Sequence, residues 1–305
     1  MTGQVARLLG AVAALLLSAP AAAQAVGNPA LPMQPARTLE REVSSGTWMS
    51  LDVSPDGKTV VFDILGDLYA MPVGGGRAKR IMGGMAFETQ PAFSPDGKWL
   101  AFVSDRSGSD NLWVARTDGA EARQLTFSDD ETVYVSPEWR ADGKAVFVSH
   151  YRPDLNAYAL LLQPLDGEGE AVVATREGPD EPRQSWRSAL GASASADGRW
   201  LYYARRVGSI DFDVLRKWTI VRRDLRTGDE EVVISGMGGR GSEKETFFRP
   251  RVSPDGRLLA YATHRAGMTE LRVRTLATGK DVALGDLEPD TLRASSWQDL
   301  VPRYA

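Results

Sequence analysis

The chain of 305 residues contains no cysteine and only two histidines, His150 and His264. Without cysteine there can be no disulfide, no thiolate metal site and no thiol nucleophile, so the fold must stand on its apolar core. The two histidines lie 114 positions apart and form neither a His-x-His pair nor an HExxH motif, which removes the common catalytic zinc patterns. A Ser-His-Asp triad is as poorly served. The nearest approach to a GxSxG elbow is GASAS at 191–195, which fails at its last position. There is no GxGxxG after a strand and no GxxxxGK[ST], and the glycine-rich pieces at 74–76, 82–86 and 236–242 read as turns. No catalytic residue, metal ligand set or cofactor is therefore expected. A basic surplus is also lacking. With Lys and Arg numbering 36 against 40 Asp and Glu, the net charge of -4 gives no footprint for nucleic acid.

Long apolar runs are missing as well. The one notable run, LLGAVAALLLSA at 8–19, is too short to span a bilayer comfortably. It follows the cation Arg7 and precedes AAAQA, with small Ala23 and Ala25 where a signal peptidase reads. Residues 1–25 are expected to be a cleavable secretory signal and 26–38 a linker. That predicts a periplasmic protein, not membrane-embedded once the signal is cut.

What the chain does have is a repeat. VSPDGKTVVFDILGDLYAMPV carries a turn at Ser54–Gly57, and FSPDGKWLAFVSD carries one at Ser94–Gly97. WRADGKAVFVSH, ASADGRWLYYARR and VSPDGRLLAYATH follow, and the Asp-Gly pairs fall 40, 46, 55 and 58 residues apart. In Ser-Pro-Asp-Gly, proline sets φ for the second turn position, aspartate suits the third, and glycine accepts the left-handed conformation that follows. The apolar runs after each turn do not alternate, as befits strands covered on both faces. NLWVARTD and ARQLT then read as third and fourth strands of the second unit. ELRVRTL with KDVAL, and WTIVRRDL with EEVVI, do the same in the fifth and fourth. Four strands per unit at this period predict an all-β fold, a β-propeller of four-stranded antiparallel blades. About five blades are expected within 39–285, with 286–305 leading into the start of a sixth and the ring incomplete. An open ring exposes blade edges through which copies could self-associate.

Residues 46–126 resemble the TolB-type propeller repeat, a relative of WD-repeat blades, and the resemblance runs from about Thr38 to Leu284. GTWMSLDVSPDGKTVVFDILGDLYAMPVGGGRAKRI followed by QPAFSPDGKWLAFVSDRSGSDNLWV looks like the N-terminal propeller of secreted amidohydrolase-related proteins. The resemblance implies a metal-dependent hydrolase barrel after the propeller, yet this sequence reaches Ala305 with neither another Ser-Pro-Asp-Gly nor a His-x-His pair. The same repeat occurs in TolB and in the propellers of prolyl-oligopeptidase-type peptidases.

Two readings of function follow. The first is a non-catalytic periplasmic binding or scaffold module for a protein or peptide partner. The alternative is the propeller part of a metal-dependent amidohydrolase, acting on C–N bonds, whose barrel lies outside this chain. A propeller hydrolase with channel calcium is weaker, since the first strands (LDVS, PAFS, PEWR, SASA, PRVS) offer few inward carboxylates. Counting eight residues from each turn glycine, or seven in the third unit, reaches the end of the second strand. There stand Leu65, Asp105, His150, Arg206 and His264. Asp105, His150, Arg206 and His264 are the candidate ligand- or partner-binding residues, on the face opposite the turns. The acidic loop FSDDETVY reads as solvated, and Trp99, Trp113, Trp200 and Trp218 as packing between blades.

Overall fold

The computed structural model describes residues 41–46, 49–175, 180–182, 185–207, 218–236, 245–265 and 268–286. The expected signal (1–25), the linker (26–38) and the connection to a sixth blade (beyond Asp286) lie outside these residues. Twenty strands form five four-stranded antiparallel sheets, and no α-helix occurs among the described residues.

Blade one holds β1 (Leu51–Val53), β2 (Thr59–Ile64), β3 (Asp67–Pro72) and β4 (Lys79–Met82). Blade two holds β5 (Glu88–Phe93), β6 (Trp99–Ser104), β7 (Asn111–Arg116) and β8 (Arg123–Gln124). Blade three holds β9 (Val133–Trp139), β10 (Ala145–Arg152), β11 (Ala157–Pro164) and β12 (Glu170–Val173). Blade four holds β13 (Arg187–Ala194), β14 (Trp200–Val207), β15 (Thr219–Asp224) and β16 (Glu230–Ile234). Blade five holds β17 (Thr246–Val252), β18 (Leu258–Arg265), β19 (Met268–Thr275) and β20 (Asp281–Asp286). Each sheet is a simple meander in chain order.

The turn chemistry explains why the hairpins recur. In blade one the Ser54 hydroxyl donates to Asp56 Oδ1 at 2.6 Å and accepts the Thr59 N–H at 2.9 Å. Asp56 Oδ1 also accepts the Lys58 N–H at 3.1 Å, and Gly57 N closes on Ser54 O at 2.8 Å. The same set returns around Ser94, Ser195 and Ser253. Blade three lacks the serine, and Arg140 Nε bonds Asp142 Oδ1 at 2.8 Å instead. All five turn glycines have φ between 68° and 70°, where a side chain would be strained. Asp255 gains most: the Ser253 hydroxyl and the Arg257 amide hold its carboxyl down at about 2.

The second strands are covered on both faces, as their unbroken apolar runs require. In β6 every residue after Trp99 is buried, and Phe102 is completely so. Cores form between blades rather than within them. Leu68 and Met82 of blade one meet Phe102 and Ala115 of blade two, and Tyr202 and Ile220 of blade four meet Phe247, Leu259 and Tyr261 of blade five. Each fully buried side chain of this size contributes about 1.5–3 kcal/mol.

First strands pack on one another in sequence, β1 on β5, β5 on β9, β9 on β13 and β13 on β17. Among the described residues no comparable interface joins blade five to blade one. Their outer flanks show it. Leu51 is 59% exposed on blade one and Leu284 is 62% exposed on blade five. Phe62 stacks on Tyr69, half-exposed on the same flank as Leu51, whereas its counterparts Phe102, Tyr203 and Tyr261 are buried between blades.

Candidate functional site in the axial cavity

In blades two to five the inner strands are longer than the short PAFS-type segments expected, and each carries a bulge, whereas the three-residue β1 pairs with β2 without a shift. The pairing shifts between Thr89 and Ala92, Val135 and Glu138, Leu190 and Ser193, and Phe248 and Arg251. At each shift one inner-strand residue turns left-handed: Gln90 (φ 56), Ser136 (φ 55), Gly191 (φ 68) and Arg249 (φ 53). A β-bulge leaves one residue out of the ladder, so its N–H needs another acceptor. The preceding blade supplies it in three cases. Asp63 Oδ2 accepts the Gln90 N–H at 2.9 Å, Gln90 Oε1 accepts the Ser136 N–H at 2.6 Å, and Ser149 Oγ accepts the Gly191 N–H at 3.0 Å.

A second clasp recurs further along each inner strand. Asp52 Oδ2 accepts the Phe93 N–H at 2.8 Å, and the Ala92 carbonyl accepts Trp139 Nε1–H at 3.0 Å. Glu138 Oε1 accepts the Ala194 N–H at 2.9 Å, and Ser193 Oγ accepts the Val252 N–H at 3.1 Å. In every seam an acceptor of one blade holds an N–H of the next.

Blade five breaks the pattern. Its residue at this position is Arg251, a donor. Arg251 Nη1 crosses to Glu138 Oε2 at 2.5 Å, tying blade five to blade three. Burial pushes the Asp52 and Glu138 carboxyls up, and the Arg251 charge opposes this in both. The Arg251 guanidinium is itself held charged, chiefly by Glu138 and further by Asp52. The first strands, expected to offer few inward carboxylates, thus bring Asp52, Glu138 and Arg251 together about the axis.

Beside this group the inner strands enclose a cavity of about 280 Å³. Its walls include Leu51, Pro91, Pro137, Leu190, Phe248 and Pro250, with the polar groups of Ser50, Gln90 and Ser136 between them. Among the described residues of the lining, Arg249 and Arg251 are the charged ones.

The four residues singled out from sequence fall at or just past the ends of their second strands, in four different sheets. Asp105 follows β6, and its Oδ1 accepts the Phe87 N–H at 2.7 Å. His150, in β10, stacks on Tyr134 with centroids 4.6 Å apart and planes 9° apart. Its Nε2 is buried without a protein partner, and burial, aided by the Arg152 charge, pushes its pKa down. Arg206, in β14, lies over Trp218 at 5.4 Å, and His264 Nδ1 pairs with the Thr269 hydroxyl at 3.0 Å. Leu65, the matching position in blade one, is 96% exposed in the β2–β3 turn. Each candidate is engaged within its own blade. In the acidic loop, Asp130 Oδ1 accepts the Thr132 N–H at 2.9 Å. Among the described residues no group of three or more His, Asp or Glu is placed to hold a metal ion.

Five four-stranded sheets set about one axis, with their first strands lining it, define a β-propeller. Residues 50–212, just over half of the chain, match the family model of the Tricorn protease N-terminal beta propeller domain, and the chain belongs to that family. In sequence it is 33% identical over 114 residues to Tricorn protease homolog 1 of Streptomyces coelicolor, covering 37% of this chain and 11% of that protein. It is 30% identical over 186 residues to the uncharacterised peptidase YuxL of Bacillus subtilis, covering 60% of this chain and 22% of that one. An uncharacterised protein of Agrobacterium fabrum is 35% identical over 101 residues, covering 32% of this chain and 34% of that protein. The aligned part is thus no more than about a third of these relatives' length. Among solved structures, a protein assigned as TolB in Agrobacterium tumefaciens aligns with a TM-score of 0.61 at 18% identity, over 79% of this chain and 82% of that one. TolB of Acinetobacter baumannii aligns with a TM-score of 0.59 at 19% identity, over 79% and 54%. At such identities these structures establish the shared fold. The expected TolB-type propeller is what these similarities show; the link to amidohydrolases is not among them.

Proposed function

We propose that this propeller is a non-catalytic binding module that docks a protein or peptide partner over one face and receives part of it in the axial cavity. The observation that carries this reading is the cavity itself, held open on the axis by inner strands whose bulges are fixed from blade to blade. Cavities on such an axis are a common place for recognition in ring-shaped β folds. Relatives that carry a peptidase name favour a peptide as the partner. We place the docking rim on the face of Asp105, His150, Arg206 and His264, opposite the Ser-Pro-Asp-Gly turns. The leader-like residues 1–25 support export to the periplasm.

The test uses fluorescent peptide pools and purified chain. Leu51→Trp, at an exposed position that narrows the cavity, is expected to abolish capture while leaving the unfolding midpoint in place. Changing His150, Arg206 and His264 together to Ala is expected to weaken it. Capture unchanged by Leu51→Trp overturns the role of the cavity, and capture unchanged by the triple variant overturns the rim.

A further inference from the structure

Among the described residues, the charge in the cavity's lining comes from two arginines of blade five, Arg249 and Arg251, and no carboxylate lines it. Glu138 lies against Arg251 but is not part of the lining, and its other oxygen is already held by the Ala194 N–H. Arg251 spends Nη1 on Glu138, and a guanidinium carries five N–H donors in a planar fork. Its side chain is 52% accessible despite that pairing. Arg251 is therefore anchored at Nη1 by blade three, with the Asp52 charge also acting on it, while its side chain lines the cavity. Anchoring removes much of the side-chain entropy that ordering an arginine would otherwise cost.

The other walls are apolar. Pro91, Pro137 and Leu190 face a ligand from blades two, three and four, and proline rings are rigid and offer no N–H of their own. Such a cavity favours a small apolar group bearing one anionic end. Its volume of about 280 Å³ suits one or two residues rather than a folded domain.

We propose that the axial cavity is a carboxylate subsite, in which Arg251 takes the carboxylate of a peptide whose small apolar side chain lies against Pro91, Pro137 and Leu190. The proposal rests on the reading that the cavity receives part of a peptide partner. The carboxylate is either the chain end or an acidic side chain, and the same guanidinium fork serves both.

The experiment is isothermal titration of the intact chain with four probes: Ala-Ala-Leu as the free acid, the same peptide amidated, an acetylated and amidated Ala-Glu-Leu, and isovalerate alone. The free acid or the glutamate peptide is expected to bind, at least about thirtyfold tighter than the neutral peptide, since the ion pair forms in a partly desolvated cavity. Which of the two wins identifies the source. Arg251→Gln is expected to remove that preference, and Arg251→Lys to restore part of it. Because Arg251 also ties blade five to blade three, Arg249→Gln is measured beside it, with unfolding midpoints for all variants. Equal binding of acid, glutamate and neutral peptides overturns the subsite and leaves the peptide reading standing. Isovalerate binding that depends on Arg251, with no peptide bound, supports the subsite and overturns the peptide reading. No binding by any probe overturns both.

Discussion

Removing Asp63 tests whether the seams are held by the acceptors described. Asp63 lies in β2 of blade one and is 4% exposed. Its Oδ2 accepts the Thr89 hydroxyl at 2.7 Å and the Gln90 N–H at 2.9 Å, both from blade two, and its Oδ1 accepts the Ser50 N–H at 3.1 Å. Two effects compete. Burial pushes its carboxyl up, so the charge is costly, while the three donors draw it down. On balance burial prevails and the carboxyl lies above its usual range, yet its oxygens accept these bonds whether charged or neutral, so Asp63→Ala strands the Gln90 amide and the Thr89 hydroxyl in the seam. An unsatisfied buried donor costs about 1–3 kcal/mol, and the Thr89 hydroxyl can rotate, so the loss should be about 2–5 kcal/mol. For a domain of this size that lowers Tm by roughly 5–15 °C. Asp63→Asn keeps one acceptor oxygen and should fall between. Glu131→Ala, in the exposed acidic loop, should stay within about 0.5 kcal/mol of the parent. Urea and thermal unfolding, followed by circular dichroism and tryptophan fluorescence, read these values. A loss below about 1 kcal/mol for Asp63→Ala, with the urea slope unchanged, would mean that desolvation outweighs the bonds. The account of the seams would then be wrong.

Three further outcomes are expected. Gly119→Ala should destabilise by about 2 kcal/mol or more in the same assays, because Gly119 has φ of +88° and an added Cβ would sit 2.1 Å from the Ile81 carbonyl oxygen of blade one. Trp139→Phe, which keeps most of the buried ring but strips the donor to the Ala92 carbonyl, should cost about 1–3 kcal/mol in urea unfolding. Stability should also fall in acid through the turn aspartates. Asp255 is held at about 2 against an ordinary 3.8, so its contribution is present above 3.8 and is lost as pH drops toward about 2. Asp255→Asn should flatten that part of the stability-against-pH curve; a curve as steep as the parent's would assign the acid loss elsewhere.

Much of this architecture could be read from residues alone. The Ser-Pro-Asp-Gly turns and the unbroken apolar strands after them are local signals, since a turn answers to its own four residues and a doubly covered strand to its own composition. Hence β6, β7, β15, β16, β18, β19 and β20 fall where the pattern put them. The pattern gave no outer strands for blade three, yet β11 and β12 are there. The polar interior was less legible. Asp52, Glu138, Ser193 and Arg251 share one place in the repeat, yet the first three accept an N–H of the next blade while Arg251 donates across to blade three, because the role depends on the surrounding blades rather than on the residue's own strand. The bulges at Gln90, Ser136 and Arg249 leave one trace, a following proline that forbids a further ladder N–H, and that trace is visible only once the five units are aligned by their turns. The candidates Asp105, His150, Arg206 and His264 were placed by counting, which finds the end of a strand but not what its last side chain touches.

The one-way order of the clasps has a consequence for how the molecule comes apart. Blades two to four each hold a downstream neighbour and are held by an upstream one, whereas the terminal pair have a single such attachment apiece. Linear arrays with nearest-neighbour coupling fray from their ends. Amide exchange should accordingly be fastest in β3 and β19 and slowest in β10, and the strap from Arg251 to Glu138 should delay release of the last blade, much as a buckle secures the free end of a belt.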